Sequence, residues 1–262
     1  MALIQDSGVT LRRLDYSETS QVMVFFTREH GKVRAIGKGI KRSTKTRFAV
    51  GIDLLEVGEM VLSVRQPRQE ALATLTEWKQ RRALAGLRQK LARLYAGQYA
   101  AEITAGLTED WDPHPVLYDG LLSLLEALCE TRAVLGPIVG YQRLLLEQIG
   151  SWPELEVCVA CRRAPATEGD LYFSALEGGL LCRDCEAGFT EKRLVNRQML
   201  KASRGLESAR TEVRGSLSTA VPAQESPQLR SLIGAVFELF NYHLAHLMGR
   251  EPLLAAKLLP AR

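Results

Sequence analysis

Four of the five cysteines fall into two C-x2-C pairs, Cys158-Val-Ala-Cys161 and Cys182-Arg-Asp-Cys185, with 20 residues between them. Each pair can fold a tight turn that presents two sulfurs to one point. Two such turns meeting across a short hairpin supply the closed tetrahedron of thiolates that Zn²⁺ prefers. Four protein ligands leave no position for a water or a substrate, so one structural zinc per chain is expected, held by Cys158, Cys161, Cys182 and Cys185. Two disulfides are the alternative. The fifth cysteine, Cys129, argues against them: an odd thiol closing the apolar run Leu121–Leu128 suits a reducing compartment better than a secreted disulfide scaffold.

Charge supplies the second cluster with chemical potential. The chain of 262 residues has a net charge of only +4. Yet Arg28, Lys32, Arg34, Lys38, Lys41, Arg42, Lys45 and Arg47 fall within one short stretch that holds the single acid Glu29. That is a footprint for phosphates. Within it, Gly37-Lys-Gly-Ile-Lys-Arg-Ser-Thr-Lys-Thr-Arg47 combines two glycines, which free the backbone, with hydroxyls among the cations. Such a loop can wrap a sugar-phosphate chain, and with few aromatics nearby backbone contacts should dominate over sequence readout.

Other candidates for chemistry are weaker. Asp110, Asp112 and His114 are close enough in sequence to bind a metal or act as acid and base, but a polar loop with Asp112 capping near Pro113 accounts for them. His243 and His246 lie three apart on a helical segment, where packing or solvation is the plain reading. There is no phosphate-cradling glycine loop with its Lys-Ser/Thr and no nucleophile elbow. A binding protein without catalysis is expected.

These groups need elements to position them. Val9–Leu14, Gln21–Thr27, Val33–Ile36, Phe48–Leu55 and Glu59–Val64 read as short strands, with His30-Gly31 turning between the second and third. Five strands with no intervening long helix predict a Greek-key OB barrel over residues 1–67, a fold whose open face takes single-stranded nucleic acid. From Gln69 the apolar period becomes helical, beginning with Leu72, Leu75 and Trp78. Helices are expected near Val116–Leu135, Ile138–Ile149 and Leu229–Met248, the last stopped by Gly249, with Thr211–Gln228 a loop. The fold class is therefore α+β: a barrel, then a helical domain over 68–262 carrying an inserted zinc module at 155–188. No segment gives about 18 uninterrupted apolar residues, and no secretory signal opens the chain, so a cytoplasmic location is expected.

The segment Val9–Arg42 resembles the start of the bacterial RecO family. The carriers are the Tyr-x-Glu-x-Ser segment Tyr16–Ser20, the Thr-x-x-x-Gly segment Thr27–Gly31 and the basic turn Gly37-Lys-Gly39. Tyr99-Ala-Ala-Glu-Ile103, Phe173–Cys182 and Tyr242-His-Leu-Ala-His-Leu-Met-Gly249 extend the likeness along nearly the whole chain. The resemblance implies a recombination mediator of DNA repair. It would bind single- and double-stranded DNA, anneal complementary strands, work with RecR, contact the acidic C-terminal tail of single-strand-binding protein, and so help place RecA near the bacterial nucleoid. Its implied site residues are the four cysteines and the cations of the barrel. Gly51–Glu56 departs from the family by its acidity, which sets a limit to the DNA surface beyond Arg47. Without the resemblance, an RNA- or ribosome-associated OB and zinc-ribbon protein fits the same features.

Overall fold

Buried positions alternate with more open ones along residues 31–37 and along residues 21–25. The structure is a computed structural model and describes residues 2–41, 51–65, 72–82, 84–166, 169–208 and 226–259. Strands β1 (Ala2–Asp15), β2 (Gln21–Thr27) and β3 (Gly31–Gly37) form an antiparallel meander. They close into a barrel with β4 (Val57–Val64) and β5 (Ala73–Arg82) in the order β1-β2-β3-β5-β4, β4 returning to β1. Within the barrel β3 and β5 pair in parallel, and the other described strand pairs are antiparallel. This is the OB-like barrel expected, filled by Met23, Phe25, Val33, Ala35, Ile40, Ile52, Met60, Leu62 and Trp78.

Two strand assignments differ. The expected strand Phe48–Leu55 falls partly outside the described residues, and Gly51–Glu56 is irregular. Leu55 takes φ 63° there, buried to 1% exposure, with its N–H on the Thr10 carbonyl. The fifth strand is instead β5, in the stretch expected to start the helical domain, so the barrel extends beyond residue 67. A β-bulge explains the misreading. The register against β4 shifts between Val61 and Leu62, whose partners are Glu77 and Leu75. One extra residue, Thr76, therefore separates the inward Leu75 from the inward Trp78, and a period of two reads locally as three. Trp78 stacks on Phe25 at 5.3 Å between centroids.

The chain divides into two compact units, Met1–Thr131 and Arg132–Arg262. The first holds the barrel together with α1 (Ala85–Arg88), α2 (Leu91–Leu107) and α3 (Pro115–Glu130). Buried Arg93 on α2 stops α3: Nε donates to Thr131 O at 2.9 Å, Nη1 to Cys129 O at 2.6 Å and Nη2 to Glu130 O at 3.0 Å. A guanidinium at a helix C-terminus satisfies orphan carbonyls and matches the dipole. The second unit holds α4 (Leu135–Gln148), a four-stranded sheet of β6 (Glu154–Cys158), β7 (Leu171–Ser174), β8 (Gly179–Cys182) and β9 (Arg193–Val195), then α5 (Arg197–Ser208), α6 (Pro227–Met248) and α7 (Ala255–Leu258). Sheet order is β6-β8-β7-β9. The expected loop Thr211–Gln228 lies outside the described residues except at its end, where Ser226 caps α6 by accepting from Leu229 N–H at 3.2 Å. No helix among the described residues is long and apolar enough to cross a membrane.

The Asp110–His114 segment straps the barrel. Trp111 N–H donates to Lys32 O at 2.9 Å, and Gly31 lies so close that an added Cβ would sit 1.9 Å from Asp112 O. Gly31 also has φ 69°. Gly31→Ala should therefore destabilise by at least about 2 kcal/mol, from backbone strain plus a backbone clash. Gly39→Ala, at φ 70° with nothing within 4 Å, should cost about 1 kcal/mol. Thermal unfolding of the two variants checks the difference.

Candidate metal centre and nucleic-acid interface

The four-cysteine cluster is built by short strands ending in turns. Cys158 closes β6, and a tight turn brings Arg162 N–H onto Cys158 O at 2.8 Å, with Arg162 itself at φ 60°. Cys182 closes β8, and Cys185 N–H returns to Cys182 O at 3.1 Å. Pairing of β6 with β8 sets the two turns side by side. Cys182 N–H points at Cys158 Sγ from 3.4 Å.

All four sulfurs lie within 4.8 Å of one another. Cys161 Sγ and Cys182 Sγ are 3.9 Å apart. In a tetrahedron with metal–sulfur bonds of about 2.3 Å, sulfurs stand about 3.8 Å apart, so these residues fit a metal ion. The four sulfurs are not joined in disulfides. The thiols are electrostatically unlike. The backbone N–H and side chain of Arg163 pull Cys161 down to about 6, whereas its hydrogen bond with Cys182 pushes Cys185 up to about 12. A divalent cation at the centre favours the thiolate at every position.

Metal capture must therefore release protons, and the thiols are protonated in competition as pH falls. Cys158→Ser/Cys161→Ser should lose the bound ion, read as metal per chain by elemental analysis. In the unaltered protein, acidification should weaken metal affinity, seen as earlier transfer to a chromogenic chelator at pH 6 than at pH 8.

The expected phosphate-binding cations separate into groups. Arg42, Lys45 and Arg47 lie outside the described residues. Lys38 is exposed at the β3 exit. Lys41 pairs with Asp15 at 2.8 Å, Arg34 with Asp110 at 2.7 Å, and Arg28 with Asp119 at 3.0 Å and Glu29 at 2.8 Å. Lys32 corrects the sequence reading. Its Nζ donates to Ala105 O at 2.9 Å and to Thr108 O at 2.5 Å, and lies 3.4 Å from Asp110, with 14% of the side chain exposed. It holds the end of α2 to the barrel instead of facing solvent. The acidity of Gly51–Glu56 also finds a use, since Asp53 pairs with Arg13 at 3.2 Å and Arg88 at 2.9 Å.

The weaker candidates take structural roles. Asp110 bridges Lys32 and Arg34, and Asp112 accepts from His114 Nε2 at 2.9 Å. His243 Nε2 donates to Ser151 O at 3.0 Å, its ring edge-on to Phe173, and burial holds its pKa below the ordinary histidine value. His246 is exposed. Cys129 Sγ, in the first unit, donates to Leu125 O at 3.3 Å. Two features escaped the sequence reading. One is the exposed row Arg12, Leu14 and Tyr16 on β1 and its turn. The other is the Lys32 clamp, which no local pattern marks.

Comparison with known proteins agrees with this architecture. Residues 1–83 match the family model for the N-terminal part of recombination protein O, and residues 88–246 match that for its C-terminal part. Among similar chains, DNA repair protein RecO of Rhodopirellula baltica is 32% identical over 202 residues, covering 77% of this chain and 74% of its own. The RecO protein of Anaeromyxobacter dehalogenans strain 2CP-C is 30% identical over 257 residues, covering 98% and 95%. That of Bacillus subtilis is 30% identical over 185 residues, covering 70% and 69%. With an OB-like barrel, a four-cysteine cluster and matches along both halves, the chain belongs to the RecO family of DNA repair proteins.

Proposed function

We propose that this protein is a recombination mediator that binds single- and double-stranded DNA, anneals complementary strands and, with RecR, assists RecA loading onto DNA covered by single-strand-binding protein. Membership of the RecO family along both units is the observation that carries this reading. The cation-rich exit of β3 on an OB-like barrel supports it physically. It works in the bacterial cytoplasm beside the nucleoid, and contact with the acidic tail of single-strand-binding protein brings it to coated strands. No covalent step is required.

Annealing is opposed by repulsion between two phosphate backbones, and a cationic surface that holds both strands lowers that barrier. Lys38, Lys41, Arg42, Lys45 and Arg47 supply most of the surface. Arg28 and Arg34 add to its edge once phosphate competes for their carboxylate partners, and Lys32 acts only through the fold. Neutralising about six to eight phosphates on a single strand gives a slope of log K against log salt of about −4 to −6. The metal is Zn²⁺, for which four thiolates in a closed tetrahedron are the preferred structural set. It supplies no chemistry beyond holding the β6–β8 turns together.

Annealing of complementary oligonucleotides coated with single-strand-binding protein tests the function. The protein should accelerate annealing, and added salt should weaken the effect. Changing the five loop cations to Ala should flatten the salt slope by about three to four units. An unchanged slope would move the DNA contact elsewhere. Tight single-strand binding with no acceleration, together with preference for matched RNA, would favour the RNA-binding alternative.

A further inference from the structure

The cysteine cluster of the second unit is open on one side. Cys158 is fully buried, whereas Cys161, Cys182 and Cys185 are partly exposed and Arg162, Arg163 and Arg183 beside them face solvent. A site with four protein ligands excludes substrate, yet a small oxidant can still meet sulfurs that reach the surface. Zn²⁺ has no redox chemistry of its own. Electrons taken from such a centre must therefore come from sulfur.

Local geometry decides which sulfurs would join. Cys158 N–H donates to Arg163 O at 2.9 Å, and Cys158 Sγ faces Cys182 N–H at 3.4 Å. This sulfur is fixed inside its turn, and no solvent reaches the residue. Cys161 stands at the outer end of the same knuckle, where the Arg163 side chain hydrogen-bonds its sulfur. A guanidinium there stabilises a departing hydroxide. Cys161 Sγ lies 3.9 Å from Cys182 Sγ on the facing knuckle. A disulfide of about 2.05 Å asks the two sulfurs to close by about 1.9 Å, while Val159 N–H on Leu180 O at 2.8 Å holds the chains behind them together. A bond within the second knuckle, between Cys182 and Cys185, would leave the two turns untied.

We infer that Cys161 and Cys182 are an oxidation site, at which hydrogen peroxide exchanges the metal for a disulfide between the two knuckles. The inference rests on the metal-binding reading above and adds a covalent state of the same cluster. The Cys161 thiolate attacks one peroxide oxygen, the O–O bond breaks, and hydroxide leaves with the electron pair, giving a sulfenic acid at Cys161. The Cys182 thiolate then attacks Cys161 Sγ. The S–S bond forms, the S–O bond breaks, and a second hydroxide leaves. Two thiolates give up two electrons in all, and one peroxide is reduced to two hydroxides. Cys158 and Cys185 alone do not make the closed tetrahedron, so the ion is released. The new bond ties the turns after β6 and β8 in its place, and a dithiol reductant reopens it.

The test follows metal and sulfur together in the unaltered full chain. Reduced protein is supplied with Zn²⁺, its metal content is measured, and hydrogen peroxide is added beside a chromogenic chelator. Release of the ion should keep pace with disulfide formation. Cleavage after Arg162 and Arg183 places Cys182 and Cys185 on separate peptides, so non-reducing mass spectrometry with fragmentation identifies the bond. Cys161–Cys182 is expected, and the oxidised chain should melt above reduced protein stripped of metal by a chelator. A dithiol with fresh Zn²⁺ should restore the metal content. A bond within either knuckle, sulfinic acids without a disulfide, or an ion and four thiols that persist under peroxide would each overturn the inference. So would an oxidised chain that melts no higher than the stripped one. Failure of the reduced protein to take up Zn²⁺ would instead refute the metal-binding reading itself.

Discussion

One ammonium group decides how the first unit is used. Lys32 lies on an outward position of β3, and its Nζ is shared by the carbonyls of Ala105 and Thr108 at the end of α2 and by Asp110. A cation there meets the negative end of the helix dipole and orphan carbonyls together, where hydrogen bonds to charge are strongest. The backbone repeats the connection through Trp111 N–H on Lys32 O, and Gly31 permits the approach by lacking a side chain. Removing Lys32 would take this donor from two carbonyls and leave Asp110 to Arg34, so barrel and helices are one unit because the alternatives strand polar groups. The same clamp covers the outer face of the barrel at Phe26 and Lys32.

Much of this was legible in the sequence, and the failures have definite causes. Strands β2 and β3 were legible because buried residues alternate with more open ones over most of their length, whereas β1 buries residues 8–11 in a row. The cysteine spacing was legible because a tetrahedron of thiolates tolerates few arrangements. The fifth strand was hidden by the bulge at Thr76, which sets the inward Leu75 and Trp78 three positions apart; with the exposed Leu72 they read as a helical period of three. Of the expected strand Phe48–Leu55, the described residues from Gly51 on read as a strand because Ile52 and Leu55 are apolar and buried. Their burial comes from a loop that folds inward, with Ile52 N–H satisfied by Gln21 Oε1 at 3.1 Å. Lys32 looked like its cationic neighbours because what distinguishes it comes from α2, more than 70 residues along the chain.

Charge counting misleads for the same reason. Four of the described cations in the basic stretch have acidic partners: Asp119 and Glu29 for Arg28, Asp110 for Lys32 and Arg34, and Asp15 for Lys41. Exposed pairs of this kind contribute little to stability and are screened by salt. Under the proposed DNA-binding function, Arg28 and Arg34 are the cations that a phosphate would draw from their carboxylates. Lys32 is not among them, since its other partners are backbone carbonyls that no anion can replace.

The second unit solves a different problem. Its sheet has strands of only 3 to 5 residues, shorter than those that sustain an independent sheet. One side of it is secured by packing, with Phe173 fully buried and set edge-on to His243 and Tyr242 of α6. The turns that carry the cysteines have no such cover, and Cys161, Cys182 and Cys185 are all partly exposed. A metal joining those turns would replace the core that so short a sheet cannot build. Coordination supplies on the order of 10 kcal/mol to such sites, more than apolar burial by a few exposed turn residues can supply. Such coordination would order the knuckles, and pairing of β8 with β7, and of β7 with β9, would carry that order across the sheet. A metal there would contribute to function through the shape of this unit, while the DNA contact proposed for the barrel depends on charge.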